Sequence, residues 1–221
     1  MKAADEQAFF SRAGLSGQPS AYMNTLQGIS VTNGGAYCLT GGHAAGIQAI
    51  HYDGVMGEWY DIANRLSAGQ NCPTRIDGLY IDGVKFFFVE FKKKPMRQLK
   101  REIVKLYRKI YDSVVGLLDH GYKTLQACCK DVIYIVVSTG IPRLGPDDIR
   151  VGRRNGMSAA QRTILQSQIF NSIPGCISRP WRFPQVRAHF GLSKLEDVVC
   201  LRVLTLTPQQ FNLFAKEHNW Q

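Results

Sequence analysis

No apolar run approaches the roughly 20 residues a membrane-spanning helix needs, and the N-terminal segment lacks the layout of a signal peptide. Nothing in the sequence spans a membrane, and the expected location is the cytoplasm. The six cysteines, Cys38, Cys72, Cys128, Cys129, Cys176 and Cys200, contain no Cys-x-x-Cys spacing. The adjacent Cys128-Cys129 pair suits no disulfide in regular structure. That excludes a local zinc constellation and leaves reduced, mostly buried thiols. His43, His51, His120, His189 and His218 are scattered without ligand-like spacing, so they read as surface or packing residues. Gly41-Gly42 and Gly46 lack the Gly-Lys-Ser/Thr ending of a phosphate loop and read as turns. There is no internal repeat and no linker long enough to demand a second domain. Negative charge is short: 17 Asp and Glu stand against 27 Lys and Arg, a net of +10. Such a surplus favours polyanionic partners such as nucleic acid, although a basic surface kept for solubility explains the composition equally well.

What is present is ordinary globular material, 45% hydrophobic and 20% charged over 221 residues, enough for one substantial core and a single domain, 1–221. Its most informative stretch is Thr74 to Lys92. Two runs of β-branched and aromatic residues flank Asp82-Gly83, a strong hairpin signal. With Asp82-Gly83 as the two-residue turn, Ile81 pairs with Val84, Asp77 with Phe88 and Arg75 with Glu90. Cross-strand partners share a face, as do residues two apart on one strand, so Asp77, Glu90 and Lys92 point the same way. Asp77 and Glu90 become diagonal neighbours roughly 7–8 Å apart, near enough for both carboxylates to meet one cation. Apolar residues on both faces, from Ile76 to Phe91, mark the strands as central and covered. Buried there, two carboxylates and an ammonium carry a large desolvation cost unless they are paired. A hard divalent cation such as magnesium would satisfy the carboxylates, with Lys92 on a bound water or a substrate phosphate.

A plainer reading competes. Glu-x-Lys is common on solvated strands, and Asp77 next to Gly78 also suits the start of a turn. The phenylalanine-rich strand, the preceding strand carrying Asp77 and the basic helix that follows favour a site.

In this arrangement, Asp77 followed by Glu90-Phe91-Lys92, the chain resembles the PD-(D/E)xK nuclease superfamily. The resemblance runs from the helix around Glu58 to the strand ending near Ser138. It implies an α/β fold with a restriction-endonuclease-like core, αβββαβ: a mixed central sheet flanked by helices, within about 52–140. It also implies that Asp77 and Glu90 bind the metal, that the Phe91 carbonyl completes the shell, and that Lys92 positions or activates the attacking water. A carboxylate of the first helix sometimes joins such a shell, which makes Glu58 a further metal candidate; on its own, Glu58 reads as part of a solvated face with Asp61 and Arg65. No proline immediately precedes Asp77, since Ile76 stands there and the nearest proline is Pro73, a departure many members share.

Elsewhere the pattern predicts helices over 3–13 and 55–67, an irregular hairpin in 29–39, and a long helix over 96–119 opened by Pro95. Leu99, Ile103, Leu106, Ile110, Val114 and Leu117 form the buried stripe of that long helix. Lys93, Lys94, Arg97, Lys100, Arg101, Lys105, Arg108 and Lys109 crowd the same stretch directly after Lys92. All of these but Lys109, with Arg153 and Arg154 of the loop 140–156, are the candidate backbone-binding residues; such contacts carry no sequence information. Strands are expected over 131–138 and 198–206, a short helix over 158–170, and a last helix opened by the capping box at Thr207-Pro208-Gln209-Gln210. Arg179 to Pro184 interleaves arginine with aromatic groups, a composition suited to stacking unpaired bases and equally to packing against proline.

The expected activity is therefore a magnesium-dependent nuclease; manganese would suit the same ligands. DNA is favoured over RNA because the resemblance leans that way and no RNA-binding signature is present. The alternatives are a non-catalytic nucleic-acid-binding module on the same fold, a toxin-type RNase, or a junction resolvase. The last would be a homodimer, since symmetric junctions need two cuts.

Overall fold

The computed structural model describes residues 1, 3–15, 19–31, 35–64, 73–93, 103–139, 192, 195–196 and 198–221. They belong to the unit Met1–Pro142 with Ala188–Gln221, whereas the second unit, Arg143–Arg187, lies outside the described residues. Its helices, numbered here in chain order, are α1 (Ala3–Arg12), the single turn α2 (Leu26–Ile29), α3 (Tyr52–Asn64), α4 (Ile103–Asp119), α5 (Leu125–Asp131) and α6 (Pro208–Glu217). The strands are β1 (Met23–Thr25), β2 (Gln48–His51), β3 (Gly78–Asp82), β4 (Lys85–Lys92), β5 (Val132–Ser138) and β6 (Arg202–Leu206).

These strands form one mixed sheet in chain order, β1 to β6. β1 through β4 pair antiparallel, then β5 and β6 join parallel to β4. A parallel neighbour requires a crossover, and α4 and α5 lie on that path between β4 and β5. Alternation along each strand divides the core in two. Phe86 and Phe88 of β4, Leu79 and Ile81 of β3, and Val132, Tyr134 and Val136 of β5 share one buried cluster with residues of α1, α3 and α4. On the other face the α6 end supplies the cover: Trp220 stacks on Tyr80 with centroids 4.1 Å apart, Phe214 meets Phe87 and Phe211 meets Phe91. The fold is thus α/β, a six-stranded mixed sheet flanked by helices.

The hairpin register differs from the one expected. Asp82 pairs with Lys85, Ile81 with Phe86 and Gly78 with Val89, so the turn is Gly83-Val84. Gly83 has φ 59° and Val84 stays on the ordinary side, which is the type that places glycine first in the loop. The Asp-Gly signal located the turn but not its centre. Each β3 residue meets a partner two positions further along β4 than expected, so side-chain parity is retained and Asp77 and Glu90 stay on one face; extending the register sets them directly opposite each other, not diagonally.

Other differences are of boundaries. α3 begins at Tyr52 rather than 55, β6 begins at Arg202 rather than 198, and α5 precedes β5 where no helix was expected. Strands β1 and β2, too short and too polar at their ends to be read from alternation, add a meander upstream of β3. α4 is described from Ile103, and 96–102 of the expected helix lies outside the described residues, as does 158–170. In the expected hairpin of 29–39 the described contact is an antiparallel bridge between Val31 and Tyr37. Cys38, Cys128 and Cys200 are buried free thiols and Cys129 is a half-buried one; Cys72 and Cys176 lie outside the described residues. Among the described residues no helix is long and apolar enough to cross a membrane.

Candidate functional site

β4 carries the column Phe86, Phe88, Glu90 down one face of the sheet, and the column ends in a carboxylate with no solvent exposure, 0%. The helix covering this end is α4. Three of its side chains, at i, i+3 and i+4 and so on one face, reach the segment entering β3. Lys109 Nζ lies 3.3 Å from Asp77 Oδ1, Asp112 Oδ2 accepts hydrogen bonds from the backbone N–H and hydroxyl of Thr74, and Ser113 Oγ accepts from Ile76 N–H. The opposite end of the tether is α3: Tyr52 N–H donates to the Asp77 carbonyl and Tyr52 Oη to the Ser113 carbonyl. Close approach of the two helices depends on Gly116, where a Cβ would meet Met56 Sδ at 2.3 Å. Arg75 is held against α3 in the same way, its Nη1 donating to the Asp53 carbonyl beside Gly57.

So fixed, Asp77 turns its carboxylate to β4. Asp77 Oδ2 accepts from Phe91 N–H at 2.7 Å, continuing the β3–β4 ladder past its last backbone pair. Oδ1 faces Lys109. The same ammonium donates to both oxygens of Glu90, at 2.8 and 2.9 Å. Lys92, two residues along β4, reaches Glu90 Oε1 at 2.8 Å. Asp77, Glu90 and Lys92 therefore meet around a fourth group, Lys109, and two ammonium groups balance two carboxylates.

Burial, then the charge of Asp77, pushes the Glu90 carboxyl up to about 7 against the pull of Lys109 and Lys92. For Lys109, burial works against the ammonium, but Glu90 and Asp77 outweigh it and hold its pKa above the ordinary lysine value. Two buried neighbours frame the cluster. Tyr134 lies across from Phe88 on β5; its hydroxyl is buried without a hydrogen-bond partner among the described residues, and its ionisation is suppressed by burial first and then by Glu90 and Asp77. Cys38 Sγ donates to the Lys92 carbonyl, and burial raises its thiol to about 11, which favours the protonated form.

The remaining candidates divide. Glu58 stands beside the Tyr22 phenol, whose ionisation it helps to suppress after burial. Among the described residues no three His, Cys, Asp or Glu side chains gather, so Glu58 does not join Asp77 and Glu90. Lys93 and Lys105 are exposed, Lys105 one turn before Lys109; Arg108 leans on Asp112 at 3.4 Å. Lys94, Arg97, Lys100, Arg101, Arg153 and Arg154 lie outside the described residues, as does Arg179 to Pro184.

Sequence reasoning set Lys109 aside as one of a basic run. Its signal was its spacing: three residues after Leu106 and four before Ser113, both buried, a lysine on the inward face of the helix. Inward lysines need an anion.

Two carboxylates converging on one positive centre can hold a hard cation by oxygen ligands alone, in the number magnesium commonly takes from protein. Compared with protein-family models, curated proteins and solved structures, the chain matches none.

Proposed function

We propose that this protein is a metal-dependent nuclease that hydrolyses phosphodiester bonds, DNA in preference to RNA. The observation carrying this reading is that Asp77 and Glu90 both reach a single cationic atom, at 3.3 and 2.8 Å, with Glu90 fully buried. A pair of carboxylates that already grips one cation at the end of an apolar column has the donor chemistry for magnesium or manganese. Asp77, Glu90 and, by the resemblance, the Phe91 carbonyl would hold it. When bound, such an ion polarises the scissile phosphate and acidifies a water.

The chain's own groups do the rest. Lys92, fixed by Glu90, orients the attacking water and offsets charge on the phosphoryl oxygens as they crowd together. Lys93, immediately beyond it, and Lys105 on α4 are exposed and would neutralise the phosphate backbone. The order of elements agrees with the PD-(D/E)xK resemblance in one respect: the antiparallel strands β2, β3 and β4 are followed by helix and then a strand parallel to β4. It departs in another, since α3 sits between β2 and β3.

One observation favours a second reading, a nucleic-acid-binding module whose acids are structural. Asp77 and Glu90 already have protein partners, Phe91 N–H and the two lysines. A nicking assay on plasmid, with parallel incubations of single-stranded DNA and RNA, separates the two. Nuclease action predicts cleavage with magnesium, none with chelator, and losses of about 100-fold or more for Asp77→Ala, Glu90→Ala and Lys92→Ala that remain folded. Binding without turnover establishes the module; a fully active Lys92→Ala removes the mechanism.

A further inference from the structure

We infer that Lys109 is the resident counter-ion of the Asp77–Glu90 pair, and that a divalent cation binds by exchange with its ammonium, which then swings out towards the phosphate backbone. The inference rests on the metal-site reading above and adds a residue outside the motif to it.

The contact pattern separates the two lysines. Among the described residues Lys92 pairs with one carboxylate, Glu90, at Oε1. Lys109 touches three: both oxygens of Glu90 and one of Asp77, at 2.8, 2.9 and 3.3 Å. Two-point contact with one carboxylate and one-point contact with another is the pattern by which carboxylates chelate a metal. The ammonium of Lys109 therefore stands in the position where the pair would seat an ion. An ammonium and a doubly charged ion cannot share that position, because they repel strongly in a poorly solvated site. One must leave.

Lys109 is built to leave. It comes from α4, whereas both carboxylates are fastened to the sheet, Asp77 through Phe91 N–H and Glu90 within β4 itself. Its side chain is 22% exposed, so a route to solvent exists along a flexible four-carbon stem. Lys105, one turn earlier and exposed, marks the surface towards which the stem would point. Without a cation the exchange group keeps the buried Glu90 carboxylate from facing the half-buried Asp77 as an unscreened like charge; with one, it becomes a phosphate contact beside the reacting centre.

The test uses the full chain with calcium or magnesium chloride. Acetylation of lysines, read by peptide mass spectrometry, should label Lys109 slowly in chelator and at least about tenfold faster at saturating cation. Lys85 and Lys123, occupied with Asp131 through separate ion pairs, should not change. In calorimetry Lys109→Met should bind the cation at least about tenfold more tightly than the wild type, its competitor having been removed. Equal affinities, or Lys109 still protected when cation is shown to bind, overturn the exchange while leaving the metal site intact. No binding by wild type or variant overturns the metal-site reading itself. If Lys109→Met fails to fold, the labelling of the wild-type chain decides.

Discussion

Tyr134 shows how much one side chain in this site can reveal. Its phenol is fully buried and finds no hydrogen-bond partner among the described residues, and the groups that act on it most after burial are Glu90 and Asp77. A buried hydroxyl without a hydrogen bond lowers stability, and deleting it removes that penalty at little packing cost. Tyr134→Phe should therefore leave the fold as stable or raise it by about 1 kcal/mol, read from the urea midpoint at constant m-value. A loss of 2 kcal/mol or so would mean that the hydroxyl is bonded in solution, to a trapped water or to Glu90. Residue identity also explains what sequence reading could and could not find. Asp77, Glu90 and Lys92 are close in sequence and joined by a hairpin, so strand parity alone places them together. Lys109 and Tyr134 approach from α4 and β5; helical spacing marks Lys109 as inward, but which groups the two meet depends on a crossover geometry that no local spacing encodes.

At the scale of elements, one carboxylate fastens the start of the parallel pair. Asp131, the last residue of α5, takes Lys85 from the first position of β4 at 3.2 Å and Lys123 from the loop before α5 at 3.0 Å. Lys123 also donates to the Val84 carbonyl in the hairpin turn, and Lys85 to the Lys130 carbonyl. Burial pushes the Asp131 carboxyl up, but the hydrogen bonds and charges of the two lysines outweigh it and hold its pKa below the ordinary value. A carboxyl depressed in the folded state adds stability above its unfolded pKa of about 3.9, and that stability disappears as pH falls through the folded value. Asp131→Asn should accordingly cost about 1 kcal/mol at pH 7 in chemical denaturation. Its curve and that of the wild type should converge as pH drops through the acid range. A gap that persists in acid would assign the effect to the amide's packing instead of the charge. The hairpin, the stripe of α4 and the capping box of α6 were readable because each is local: parity, helical spacing, and a Thr207–Gln210 reciprocal pair seen in the fold. α5 carried only a local cap, Thr124 accepting from Ala127 N–H, and the short strands β1 and β2 owe their form to neighbours in space.

Over the whole molecule the charge of +10 matters more than any single ion pair, because it sets how a polyanion is met. Lys93 and Lys105 are exposed and near the acid–lysine cluster in sequence or on the same helix, whereas Arg108 spends its guanidinium on Asp112, which also anchors Thr74. That difference ranks them. If duplex DNA lies across this surface, affinity should fall with salt, and each lost phosphate contact should flatten the log–log slope by about 0.9. Lys93→Ala and Lys105→Ala should each weaken binding alike for unrelated sequences and reduce the slope by that amount. Arg108→Ala should reduce it less, since its charge is already partly answered within the helix. Fluorescence anisotropy across a salt series, with chelator present to prevent cleavage, measures all three slopes. Slopes unchanged in both lysine variants would remove this surface from the DNA path and leave the surplus charge to residues elsewhere in the chain, while the metal site would be judged on cleavage alone.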